Sequence, residues 1–433
     1  MSKLLELLLI PEDQIHSCQF GFRQNRGTAM ATSFMFDTLR YHTSRGSPVF
    51  VCSLDADKCF DTIWHHGLFY KLLNKIPKDH WLLLFSWYNN LKAGVRFGDS
   101  VSDNFLIKRG IRQGGILSPI LFNYFINDLL KLLSDTGDGL SILDETFNCC
   151  AYADDLTVFA SSITGLQRLI DISQKYSNDW KFSFGLKKSS CMIIGKCGWK
   201  HEPRWKLGDS LINNVRNMTL LGTIFNSNLT CVDHVNSRIL SCRRSAFGLA
   251  SSGLCYPGLS NETKSFLWRS MCQPALTFAL ECCNLNVESV TKLESAQGTL
   301  VKGFCGISKR SHHSRLLKAL DISKVKPLYE RNCLNLYKNI FKIDSPVRSL
   351  NIIFLAKMMT EGVESIKGTL LHRVLLAGFN PWSLVMGEAV PRSLVPRSSE
   401  DGAVDSLRRL LRDGDYGVRD SRSHRLVKLL LRH

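Results

Sequence analysis

Between Pro48 and Leu54 the run PVFVCSL is almost unbroken apolar sequence rich in β-branched residues, which predicts a strand buried on both faces and ending at Asp55. The next stretch, DKCFDTIWHHGLFYKLLNKIP, sets Leu68, Leu72, Leu73 and Ile76 at helical spacing before Pro77 stops the helix. A second unit opens at Phe105 with FLIKRGIRQGGILSPILFNYFINDLLKLL. There Gly110, Gly114 and Gly115 permit close backbone approach, and Ser118 with Pro119 reads as N-cap and first residue of an apolar helix reaching Leu133. In a third unit, TFNCCAYA and LTVFA flank the adjacent acids Asp154 and Asp155, which predicts a hairpin with two carboxylates at its tip.

Downstream, TGLQRLIDISQKYSNDWKFSFGL starts as a helix and leads, past Lys187 and Lys188, to the short strand CMII. Residues 215–230, VRNMTLLGTIFNSNLT, read as another hairpin. The pattern then turns helical: HVNSRILSCRRSAFGLA, then NETKSFLWRSMCQPALTFALECC with Pro274 placed to bend it, then VESVTKLESAQGTLVKGF. Beyond residue 326 the periodicity fades; PRSLVPRSSEDGAVD reads as a linker, with a basic amphipathic helix near Ser406 to Leu411. No internal repeat is visible.

Composition narrows the function classes. The chain has 433 residues, 44% of them hydrophobic, enough for a sizeable core in two or three domains. Its 55 Lys and Arg against 38 Asp and Glu give a formal charge of +17, which favours a polyanionic partner: nucleic acid first, an anionic membrane surface second. The leucine-rich stretch Leu4 to Ile10 contains Glu6, stops at Pro11 and is far shorter than the roughly 20 apolar residues of a spanning helix, so no membrane anchor is expected. The 15 cysteines include no CxxC pair and read as reduced, mostly buried thiols. The spacing Cys191, Cys197, His201 lacks a second ligand pair and is read as chance rather than zinc.

A bare Asp-Asp is most often a solvated turn, because Asp tolerates left-handed backbone and bonds its own neighbours. Strand-end acids that meet in one sheet would repel one another and raise each other's pKa unless cations intervene. Mg²⁺ suits such a site, since it takes hard oxygen ligands and completes its shell with water and substrate phosphate.

The segments QFGFRQNRGT, SLDADKCFD, GIRQGGILSPILFNYFINDL and AYADD, in that order, resemble the reverse transcriptase domain of non-LTR (LINE-like) retrotransposons. The likeness continues weakly through LLGTIFNSNLT, WRSMCQPALTFALECCNL and LESAQGTLVKGFCGI, so it covers residues 18–325. It implies an α+β fold, a polymerase right-hand palm with partial fingers followed by an all-α thumb: fingers in residues 1–50, palm in 51–225, thumb in 226–325, and a C-terminal helical extension and linker in 326–433. The implied activity is RNA-directed DNA synthesis, adding deoxynucleotides from their triphosphates to a DNA primer 3′-hydroxyl on an RNA template with two Mg²⁺ ions, or Mn²⁺ in their place. Intracellular, nuclear action is expected with it.

By the same resemblance Asp55, Asp154 and Asp155 are the metal-binding catalytic acids, and Tyr152 lies beside the primer end. Phe60 matches the bulky residue that excludes a 2′-hydroxyl, although its spacing fits a core phenylalanine equally well. Gln113 and Gly114 match the segment touching incoming nucleotide and template, and Lys188 matches a lysine near the pyrophosphate, with Lys187 a competing assignment. Arg23 and Arg26 are expected to face nucleic acid with Phe20 and Phe22 packed beneath them, and Arg238, Arg243 and Arg244, read as near one helical face, to contact phosphates. Solvated surface charge is the plain alternative for all five arginines.

Family members carry more fingers sequence ahead of QFGFR and an endonuclease domain, so a truncated element is expected. The competing readings are a catalytically inactive nucleic-acid-binding remnant and, less well matched by YADD and QGGILSP, an intron-encoded maturase or viral RNA polymerase.

Overall fold

A computed structural model describes residues 14–195, 202–254, 258–308 and 310–381. The leucine-rich stretch Leu4 to Ile10, Cys197, His201, the linker from Pro391 and the helix near Ser406 lie outside these residues. The chain is a mixed α and β protein. Contacts among the described residues group 14–31 with 42–216 in one compact unit, and 32–41 with 217–381 in a second.

The first unit begins with the start of helix α1 (Thr28–Ser44) and is built on strand β1 (Val49–Asp55). After a single helical turn, α2 (Cys59–Thr62), come α3 (His65–Leu72) and α4 (Lys78–Asn89). A protruding hairpin follows, made of β2 (Lys92–Ala93), β3 (Arg96–Phe97), β4 (Ser100–Val101) and β5 (Phe105–Leu106). Next are α5 (Ser118–Ser134), the small ribbon β6 (Leu140–Ile142) and β7 (Glu145–Phe147), the pair β8 (Cys149–Tyr152) and β9 (Asp155–Ala160), and α6 (Ile163–Asp179). β10 (Ser190–Ile194), a ribbon of β11 (Lys206–Leu207) and β12 (Ser210–Leu211), and β13 (Asn213–Asn214) complete the unit.

Five strands form the central sheet in the order β13-β10-β1-β9-β8. β1 is antiparallel to both neighbours, and only β10 and β13 run parallel. Its predicted burial holds, since Val49 to Cys52 and Leu54 are all buried. Alternation sends Phe50, Cys52 and Leu54 of β1, with Leu156, Val158 and Ala160 of β9, into one core with Leu121, Phe122 and Leu129 of α5 and Leu166, Leu169 and Ile170 of α6. On the reverse face the Cys150 thiol reaches the carbonyl of Ala31. Each fully buried Leu, Ile or Phe contributes about 1.5–3 kcal/mol, so this cluster supplies most of the favourable term for the unit.

Two local expectations change. Helix α5 starts as read, but Leu117 takes the N-cap position without a side-chain cap, and the Ser118 hydroxyl donates back to the Arg112 carbonyl at 2.5 Å, closing the glycine turn ahead of the helix. Helix α3 ends at Leu72, leaving Leu73 about half exposed.

The second unit holds the hairpin β14 (Asn217–Leu220) and β15 (Thr223–Asn226), as read, and then helices: α7 (Val232–Leu249), α8 (Asn261–Leu267), α9 (Gln273–Thr277), α10 (Val287–Phe304), α11 (His313–Ala319), α12 (Val325–Ile340), α13 (Pro346–Glu361) and α14 (Leu370–Leu376). Just before Pro274 the turn Trp268–Cys272 widens to π-helix, which frees the carbonyl that the proline ring would strike. The helix stops at Thr277, and Ala279 adopts a left-handed φ of 56°, so it does not continue to Cys283 as the pattern suggested.

Among the described residues of the region after 326, where periodicity fades, α12, α13 and α14 are well formed. Asp37, in the part of α1 belonging to this unit, is fully buried; its carboxylate accepts from the Leu370 amide at 3.1 Å and faces Arg373 at 3.9 Å. Burial pushes the Asp37 carboxyl up to about 6 against the pull of Arg373. The cysteines are free thiols among the described residues, all of them buried except partly exposed Cys305, as expected.

Candidate active site

Strand register decides what meets at the end of the sheet. β1 and β9 pair so that Asp55 lies directly opposite Asp155, and Tyr152 of β8 faces Asp155 from the other side. Ala153 and Asp154 form the two-residue turn between β8 and β9. Acids 99 and 100 residues apart in sequence, at positions 55, 154 and 155, thus reach one sheet end.

Their mutual proximity is electrostatic as well as geometric. The Asp155 carboxyl is raised from 3.8 to about 6, first by desolvation, then by Asp154 and by Asp55, with Lys188 pulling the other way. Cys59, on α2, gives its thiol proton to a hydrogen bond with Asp154; burial and that carboxylate push the thiol far up. Lys188 Nζ binds Asp55 at 3.0 Å and Asp57 at 3.7 Å, while no such bond is present for Lys187 among the described residues. Both partners raise the Lys188 ammonium above its ordinary value, Asp55 most. Asp57 escaped the sequence reading; Gly185 accommodates it, since a Cβ there would stand 2.7 Å from its carboxylate.

The turn is held from below. Ala153 has φ of 55°, a left-handed conformation unusual for a residue with a side chain. Gln19, fully buried, accepts from the amides of Ala153 at 3.0 Å and Gly21 at 2.9 Å, and its own amide donates to the Ala153 carbonyl at 3.4 Å. Phe20 N donates to the Ala151 carbonyl at 2.8 Å, and Ala151 N to the Cys18 carbonyl at 2.9 Å. Only glycine fits at 21, because a Cβ would lie 2.3 Å from the Ala153 nitrogen. QFG in QFGFR is therefore a clamp for the acid-bearing turn, a role no periodicity discloses.

The same turn engages both arginines of the segment. Arg23 donates to the carbonyls of His16 at 2.9 Å and Gln19 at 3.4 Å, and Arg26 to those of Ser17 at 2.5 Å and Gln19 at 3.4 Å. Arg26 also covers the Phe20 ring at 5.7 Å. Both guanidinium groups are thus hydrogen-bonded to the main chain of this turn. Phe20 is buried as read, but Phe22 is 55% exposed and meets Phe60 edge-on at 6.4 Å.

Phe60 is half-buried and stacks on Phe122 at 4.7 Å, so part of its ring belongs to the core. Gln113 Nε2 donates to Asp61 at 2.8 Å, and Gly114 has φ of 77° in an exposed turn. In the second unit Arg238 is half-buried over the Phe278 ring at 5.4 Å, and burial lowers its pKa, whereas Arg243 and Arg244 are exposed. At 100° per residue the pair lies about 120–140° around α7 from Arg238, so the three share no face.

Among the described residues no three or more His, Cys, Asp and Glu side chains already converge as a metal cage. What the sheet end offers instead is three carboxylates, Asp55 and Asp155 paired across the strands and Asp154 in the adjoining turn, and hard-oxygen donors of this kind fit a divalent cation that also needs water and phosphate. Cys191, the described part of the zinc spacing, is buried in β10 opposite Cys52.

Residues 1–225 match the family described as reverse transcriptase (RNA-dependent DNA polymerase). The chain belongs to this family. It is 24% identical over 299 residues to the RNA-directed DNA polymerase from mobile element jockey of Drosophila funebris, a match covering 66% of this chain and 32% of that protein. With the Pol polyprotein from type-1 retrotransposable element R2 of Popillia japonica it shares 29% identity over 200 residues, 45% of this chain and 28% of the relative. These relatives bear out the resemblance to non-LTR elements. The chain spans about a third of the length of the jockey proteins it matches. A solved telomerase from Candida albicans, in complex with a fragment of telomeric RNA, aligns with a TM-score of 0.38 at 10% identity over 74% of this chain and 55% of that one.

Proposed function

We propose that this reverse transcriptase domain catalyses RNA-directed DNA synthesis for a non-LTR retrotransposon, extending a DNA primer with deoxynucleoside triphosphates on an RNA template. In this reading the sheet unit is the palm with part of the fingers, and the helices after β15 supply the thumb. The observation that carries it is the β1–β9 register, which sets Asp55 against Asp155 with Asp154 in the adjoining turn.

Asp55, Asp154 and Asp155 would hold two Mg²⁺ ions, or Mn²⁺. Such ions, when bound, stabilise the attacking and leaving oxygens of an in-line phosphoryl transfer. The chain's own residues do the rest. The clamp of Gln19 fixes Asp154 in a turn that Ala153 would otherwise abandon, so the acids are preorganised. Lys188, paired with Asp55 and Asp57, is an exposed cation that would face charge developing on the departing pyrophosphate. Phe60, stiffened by Phe122 and flanked by Phe22, presents a rigid ring where a ribose 2′-hydroxyl would crowd it. Gln113 and Gly114 would border the nucleotide, and Tyr152, next to the turn, the primer end. Arg23 and Arg26, with the exposed Arg243 and Arg244, would contact phosphates, and the site of action would be nuclear.

Primer extension on an RNA template tests the reading. Asp154→Asn should abolish nucleotide incorporation with an unchanged circular dichroism spectrum. Retained extension in the variant refutes the assignment, and salt-sensitive RNA binding without extension by the parent chain would favour the inactive remnant.

A further inference from the structure

The hairpin β2 to β5 has no counterpart in the site just described. Its stem pairs Lys92 with Leu106 and Ala93 with Phe105, and its outer end pairs Arg96 with Val101 and Phe97 with Ser100 around the Gly98-Asp99 turn. Phe97 is 89% exposed, and Val95, Val101, Phe105 and Leu106 are each about half exposed or more. A two-stranded ribbon that leaves this much apolar surface in water is marginal alone and calls for an occupant.

A cleft of about 490 Å³ opens at the foot of the hairpin. Lys92, Arg109 and Arg112 line it, and among the described residues none of the three enters an ion pair. The single carboxylate in its wall, Asp61, is engaged by Gln113 at 2.8 Å. Positive charge without a protein counter-charge suits phosphates, and an exposed aromatic tip suits a base with a free face. The duplex hides base faces; a single strand offers them. The cleft floor is fixed to α2, the turn that carries Cys59 against Asp154, since Ile111 N donates to the Phe60 carbonyl at 2.7 Å and Gly110 N to that of Ile63, just after α2, at 2.9 Å.

We infer that the cleft of Lys92, Arg109 and Arg112, with Phe97 at the outer end of the same hairpin, is a subsite for the uncopied single strand of the RNA template: phosphates lie against the three cations, and a base stacks on Phe97. This rests on the polymerase reading. It places the strand's path along residues 92–112 and makes the hairpin a guide that delivers unpaired bases toward Gln113.

The test measures binding of the full chain to two fluorescent probes, a uridine-rich RNA 12-mer and a blunt RNA–DNA duplex, across a salt series. Phe97→Ala should weaken the single strand roughly tenfold, the scale of one lost base–aromatic stack, and leave the duplex unchanged. Lys92→Ala with Arg109→Ala should lower the salt slope for the single strand by about 1.4, two phosphates released at about 0.7 each. Single-strand affinity and slope unchanged in these variants, as for a hairpin that serves a protein partner, or equal losses on both probes, would overturn the subsite. All three positions are exposed, and thermal melts matching the parent chain show that folding is not the cause. Asp154→Asn, run alongside, keeps the two proposals separate: it should bind the single strand normally and fail to extend primer, and persistent extension would sink the polymerase reading whatever the hairpin variants do.

Discussion

Replacing Gln19 by Met isolates the clamp beneath the acid-bearing turn. Methionine has nearly the same length and volume and fills the buried space, but it neither accepts nor donates as an amide does. Two main-chain N–H groups, of Ala153 and Gly21, would lose their acceptor in a site closed to water, and the Ala153 carbonyl would lose a donor. An unsatisfied buried group costs about 1–3 kcal/mol, so with partial relaxation the two donors together give a loss of about 2–4 kcal/mol. Gln19→Ala adds a cavity and should cost more. Urea unfolding followed by tryptophan fluorescence should show a midpoint lower by about 1 M for Gln19→Met, taking a slope of 2–3 kcal/mol per M. Ala153, released from its φ of 55°, should relax and carry Asp154 with it, so primer extension should fall further than the folded fraction does. A midpoint within about 0.2 M of the parent chain, with full extension, would refute the clamp.

Phe60→Val should admit ribonucleotides more readily, by about tenfold in the ratio of ribo- to deoxynucleotide incorporation; an unchanged ratio would mean that stacking on Phe122 is the residue's whole role. Asp155 loses its proton near 3.8 in the unfolded chain and near 6 in the folded one, so the fold binds more protons between those values, and stability falls as pH rises through that window and stays lowered above 6. Asp155→Asn should accordingly stabilise the chain at pH 7.5 by about 1 kcal/mol, a figure reduced for the exposure of the side chain, and pH-dependent urea midpoints check it. Lys71 behaves in the opposite sense: buried among Trp180, Tyr176 and Phe125, it donates to Asp128 at 3.0 Å, and burial pushes its ammonium down from 10.5 to about 8. Its folded form sheds the proton first, so stability should rise by up to about 3 kcal/mol between pH 8 and 10.5, a rise that Lys71→Met should remove.

What the sequence disclosed and what it hid divide along physical lines. β1 was legible because a strand covered on both faces has to be continuously apolar, and the carboxylate that ends it had to face the sheet end. The hairpin of β8 and β9 and the helix α5 were legible for the same local reasons. Gln19 was not, because its partner lies 134 residues away and a buried amide has no periodic signature. The carbonyl partners of Arg23 and Arg26 were hidden too, because main-chain atoms leave no trace in composition. At 100° per residue, helix geometry by itself separates Arg238 from Arg243 and Arg244. α13 escaped because it is apolar nearly all round, with Ile352, Ile353, Phe354 and Leu355 buried in succession, and so shows no amphipathic stripe. Membership of the reverse transcriptase family rested on four ordered motifs, and the sheet register explains why two of them, far apart in sequence, are spaced to meet.

The claim on which the functional account depends is that the acids of β1 and the β8–β9 turn together hold a divalent cation. Titration of the nucleic-acid-free chain with Mg²⁺ by isothermal calorimetry measures this without recourse to activity. The account predicts saturable binding at the parent site, accompanied by proton release near pH 6 as Asp155 gives up its raised proton, and at least tenfold weaker binding in both Asp55→Asn and Asp154→Asn. Binding of equal strength in the parent chain and both variants, with no proton release, would contradict it.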